Sequence, residues 1–126
     1  MPTETVAFDE DDGPVSIEIT AGYACLGTYQ LLRRRDGAYV PFATDRPRRL
    51  DDDVPDCVVL PIPEEKLDGR WVFVRGNYAP APEHEQVRVT YTFTQDGAAI
   101  HETTIEATPA TEASHLRRAH RFLFQA

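Results

Sequence analysis

Apolar residues in this chain recur mainly at every second position, the period of a strand with one buried face. Val15, Ile17 and Ile19 alternate with Ser16, Glu18 and Thr20. Val87, Val89, Tyr91 and Phe93 alternate with Arg88, Thr90, Thr92 and Thr94, the clearest strand in the sequence. From Arg70 to Arg75 apolar side chains fill both phases, Trp71 and Phe73 on one, Val72 and Val74 on the other. A strand of that kind belongs mid-sheet with both faces covered, which assigns Trp71 to the core. Shorter apolar runs at 57–62 and 120–124 predict two more strands. No stretch carries the amphipathic helical period of about 3.6 residues, although 108–119 has mild helical character.

Turn signals divide these runs. Asp-Gly occurs at Asp12-Gly13, Asp36-Gly37, Asp68-Gly69 and Asp96-Gly97, and this dipeptide suits the two left-handed positions of a type I′ hairpin turn. A hairpin at 36–37 sets Arg33 opposite Val40 and buries Leu31 with Phe42. Pro41 cannot donate to a ladder and marks the return strand as an edge or a broken strand. A hairpin at 96–97 sets Phe93 opposite Ile100. Ile105 then falls out of phase with Ile100, so a bulge between Glu102 and Thr104 is expected to return it to the core.

About eight short strands divided by turn signals predict an all-β fold, an antiparallel β-sandwich that is immunoglobulin-like in a loose sense. Trp71 follows both cysteines, Cys25 and Cys57, so the cysteine–tryptophan order of antibody domains is not matched. A small β-barrel is the alternative. The 126 residues are read as one domain, 1–126, with 1–12 as a flexible acidic lead-in. A chain of this length can bury a core without a metal or a disulfide.

Charge narrows the partners. Thirteen basic against 21 acidic residues give a net charge of −8, which argues against nucleic acid and against an anionic membrane. Residues 1–63 hold 12 acids and 6 bases, and residues 64–126 hold 9 acids and 7 bases, so the chain is polarised. The N-terminal stretch has neither the basic region nor the apolar core of a secretory signal, so a cytoplasmic location is expected, with signal-independent export left open. In that setting both cysteines are expected to be reduced and buried.

Several groups are candidates for chemistry. Asp51, Asp52, Asp53 and Asp56 form an acidic cluster and are candidate calcium ligands of a sandwich loop, beside a second run at Asp9–Asp12, but neither has the spacing of a defined calcium loop. Arg46, Arg48 and Arg49 stand next to the cluster and are candidate contacts for an acidic partner. The triplet Arg33–Arg35 lies on a strand, where successive side chains alternate faces, so no single-faced patch is expected from it. Tyr78, followed by Pro80 and Pro82, is read as an exposed loop tyrosine and a candidate binding residue. The row Thr90, Thr92 and Thr94 is read as an ordinary exposed strand face. His84, His101, His115 and His120 lack metal-ligand spacing, and Cys25 is the one conceivable nucleophile. There is no nucleophile elbow and no glycine-rich phosphate loop.

The expectation is therefore a non-catalytic protein-interaction module without a cofactor, binding another protein or itself through a sheet edge or end loops. The alternative is a ligand-binding sandwich that takes carbohydrate or calcium through its aspartate-rich loops and loop tyrosines.

Overall fold

Alternation of apolar and polar side chains becomes strand after strand in the computed structural model, which describes residues 2–22, 25–44, 48–50, 55–80, 86–108 and 116–126. Among the described residues there are ten strands: β1 (Thr3–Ala7), β2 (Val15–Ala21), β3 (Cys25–Arg35), β4 (Ala38–Thr44), β5 (Arg48–Leu50), β6 (Asp56–Val59), β7 (Trp71–Pro80), β8 (Val87–Gln95), β9 (Ala98–Ala107) and β10 (Leu116–Gln125). A single 3-10 turn, Glu64–Lys66, precedes β7. None of the described residues forms a helix long and apolar enough to cross a membrane.

The strands make two sheets packed against each other, a β-sandwich and not a closed barrel. The larger sheet runs β1-β10-β7-β3-β4, with β5 also on β3, and the smaller runs β6-β2-β8-β9. Among the described residues every pairing is antiparallel except one: β1 lies parallel to β10, with Thr3 opposite Arg121 and Ala7 opposite Gln125. Residues 3–7 are thus a paired strand and not a flexible lead-in. The reason is apolar: Val6 is fully buried, and the ring of the adjoining Phe8 meets Phe124 edge-on at 6.0 Å. The acids Asp9–Asp12 occupy the turn that follows. There the buried Gln95 accepts from the Asp9 amide at 3.0 Å and donates to the Gly13 carbonyl at 2.9 Å.

The core is built from the inward phases of both sheets. Val15, Ile17 and Ile19 of β2 and Val87, Val89, Tyr91 and Phe93 of β8 meet Leu31, Val72, Val74, Phe122 and Phe124 of the larger sheet. Phe93 packs edge-on against Phe122 at 4.8 Å and Phe124 at 5.3 Å, so truncating it to Ala would cost about 3–5 kcal/mol. Leu67, just past the 3-10 turn, joins this core and is fully buried.

Both tight hairpins form as predicted, with Asp36 and Asp96 at φ 51° and glycines at φ 80° and 75°. Arg33 does face Val40, but a bulge sets Leu31 opposite Ala43 and leaves Phe42 as the extra residue. The second hairpin also carries its bulge elsewhere than expected. Phe93 faces His101, Thr94 faces Ala99, and Ile100 is the inserted residue. That earlier shift is enough to bring Ile105 into the core. The other two Asp-Gly pairs make no hairpin, because the strands around each lie in different sheets. Leu116–Ala119 is strand where mild helical character was read, since Leu116 and His120 take the inward phase of β10. The remainder of that segment, 109–115, lies outside the described residues.

Candidate functional site

The larger sheet places two cross-strand rows of unusual composition on its outer face. Successive side chains of a strand point to opposite sides, so the phase of β7 opposite to its core residues carries Trp71, Phe73, Arg75 and Asn77. Register aligns Phe73 with Leu32 on one neighbour and with Arg121 on the other. The ring of Tyr39, on the edge strand β4, meets Phe73 edge-on with centroids 4.3 Å apart. Trp71 is half-buried here and not in the core as read. It lies beside Leu123, and the Arg121 guanidinium sits 5.3 Å from its ring centroid. Arg121 is held in that place by Thr3, whose hydroxyl accepts from Nε at 3.1 Å and from a terminal nitrogen at 2.9 Å.

Beyond this apolar half the face turns polar. Arg75 lies opposite Gln30 and Ala119, and Asn77 lies opposite Thr28 and Arg117. These residues, with Thr44 and Arg118, line a groove of about 550 Å³. Arg75, Arg117 and Arg118 are exposed around it, and none pairs with a described carboxylate. The Asn77 side-chain oxygen is buried without a hydrogen-bond partner. No third layer of strands among the described residues packs on the face, but its Leu32 and Phe73 are buried by neighbouring side chains, the Tyr39 ring among them. The outer face of the smaller sheet differs: Thr90 bonds Thr104 at 3.0 Å, and Arg88 pairs with Glu106 at 3.8 Å.

The candidate residues fare unequally. Tyr78 is a correction, for it is fully buried in β7 and is neither exposed nor in a loop. Its hydroxyl meets that of Tyr91, from the opposite sheet, at 2.6 Å. Burial raises both phenols, Tyr91 to about 12 and Tyr78 further, so the pair stays neutral and hydrogen-bonded. Asp56 lies on β6 and accepts from the Tyr29 hydroxyl at 2.8 Å, a bridge between the sheets. Arg48 and Arg49 stand on β5, opposite Gly27 and Leu26, with their side chains outside the described residues. Arg46, Asp51, Asp52 and Asp53 lie outside them altogether. Among the described residues no three His, Cys, Asp or Glu side chains gather as a metal site.

Cys25 is a buried thiol, pushed up to about 11 by burial, and so a poor nucleophile at neutral pH. Cys57 is exposed, contrary to expectation, because it takes the outward phase of the sheet-edge strand β6. His101 faces the Glu4 carboxylate at 3.1 Å, and Thr103 donates to the same oxygen at 2.7 Å. His120 is buried, with its Nδ1 unpartnered. No family model matches the chain, and no match to it is found among curated proteins or among solved structures.

Proposed function

We propose that the protein is a non-catalytic interaction module that binds a partner protein through the outer face of its larger sheet. One observation carries this reading: on this face the exposed Tyr39 and the half-buried Trp71 stand beside the buried Phe73 and Leu32, with Arg34 and Arg75 exposed around them and Arg121 against Trp71. Aromatic residues and arginine are the types that dominate binding energy in protein interfaces. Arg34, Arg75 and Arg117, which pair with no described carboxylate, favour an acidic partner surface, and charge complementarity would speed the encounter at low salt. The non-catalytic reading is supported by the burial of Cys25 and His120, which takes both away from any substrate.

A photo-activated cross-linker placed at Ala119, on this face, tests the proposal against one placed at Thr92 on the opposite sheet. Cross-links to another protein from Ala119 alone, lost in an Arg75→Glu/Arg117→Glu variant, are expected. Equal labelling from both positions would sink it. Light scattering on the purified chain then tells a second copy from a different partner.

A further inference from the structure

The arginine triplet shows a second feature where β3 outruns the core. Its inward phase continues from Tyr29 and Leu31 to Arg33 and Arg35, so the buried side of the sheet becomes basic at its end. The connection between β6 and β7 crosses opposite this end and brings Lys66 and Arg70 to it. Arg33, Arg34, Arg35, Lys66 and Arg70 together line a cleft of about 390 Å³, with Ile62 and the prolines on either side of it also in the lining. Arg34 joins from the outward phase, so the strict alternation expected of the triplet does not keep its members apart here. Among the described residues Asp36 is the one carboxylate in the lining.

Two details mark the cleft as unfilled in charge. None of the five cations pairs with a described carboxylate. The Arg33 Nε is buried and has no acceptor, although buried donors are normally satisfied. Five like charges in one recess repel one another, and an anion between them would relieve that repulsion. Overall basicity is not the cause, because the chain as a whole carries −8. Arg70 is also restrained, its Nε reaching the Lys66 carbonyl at 3.4 Å.

We propose that this cleft binds a small polyanion carrying phosphate or carboxylate groups. Guanidinium forks match two oxygens of such a group at once, and Lys66 adds a compact charge without directional demand. A volume of about 390 Å³ suits a small molecule.

Titration calorimetry on the full chain tests this with inorganic pyrophosphate and with citrate, each against sodium chloride at matched ionic strength. Saturable binding of at least one polyanion is expected, with a dissociation constant below about 1 mM. Pyrophosphate alone would assign a phosphate ligand, and citrate alone a polycarboxylate. Arg33→Gln/Arg70→Gln should weaken binding by about tenfold or more, whereas Arg88→Gln, on the smaller sheet, should leave it unchanged. Should the Arg33 variant fail to fold, Arg35→Gln/Lys66→Gln, at exposed positions, asks the same question. Heats no larger than with sodium chloride, or binding untouched by these variants, would overturn the proposal.

Discussion

Tyr78 lies across space that two glycines leave open. A Cβ added at Gly76 would sit on its hydroxyl end, and one at Gly27, directly across the ladder, would meet its ring and Leu50. Glycine inside a strand commonly marks such a close approach, and here an aromatic ring covers the gap. Gly76 next to Asn77 looks like a turn in sequence, and Pro80 reinforces that impression, which is why the sequence alone points to an exposed Tyr78. A proline is tolerated at the end of a strand, so nothing in β7 is actually broken by it. Replacing Tyr91 by Phe would leave the Tyr78 hydroxyl buried and unpaired, at a cost of about 1–3 kcal/mol. The double variant Tyr78→Phe/Tyr91→Phe should recover part of that loss, because no orphaned group then remains. Urea denaturation of the two single variants and the double variant measures this as a cycle, and strictly additive losses would refute it.

At the scale of elements, alternation located the strands well and their registers less well. A period of two says which side chains share a face but carries no mark for an extra residue. Both hairpins hide one, at Phe42 and at Ile100. The phase conflict at Ile105 was visible in the sequence, but the position of the bulge that resolves it was not. The turns themselves were legible, since Asp-Gly meets a local backbone requirement without help from the rest of the fold. Gly97 sits at φ 75° with open space where a Cβ would go, so the backbone alone sets the penalty of a substitution. Gly97→Ala should cost about 1–2 kcal/mol, and Asp96→Asn should cost almost nothing. Equal losses in the two variants, read from denaturation midpoints, would show that the side chains and not the backbone hold this turn.

For the whole molecule, the pairing order of the strands was out of reach of local pattern. Nothing near Thr3 announces that it will lie beside Arg121, and Lys66 and Arg70 join Arg33 only through packing of distant segments. The two-sheet class needed only periodicity, so it was legible. The sites depend on which strands neighbour each other, so they were not. Sheet packing also sets a pH response. Burial holds His120 below its ordinary value, with Arg118 and the N-terminus lowering it further and Glu4 pulling the other way. The unfolded chain therefore takes up a proton more readily than the folded one. Stability should be full above the unfolded value, about pH 6.5, and should fall as the pH drops through the lower folded value. Melting temperatures between pH 7.5 and pH 5 should decline more for the wild type than for His120→Gln. Parallel curves would place the titration elsewhere.

The parallel pairing of β1 with β10 has a mechanical consequence. Thr3 lies at the start of one strand and Gln125 at the far end of the other, so tension applied between them draws the two strands past each other lengthwise. Their rungs are then loaded together in shear and do not open one at a time like a zip. Stretched end to end, the sandwich should yield abruptly at high force, with β1 and β10 acting as its clasp.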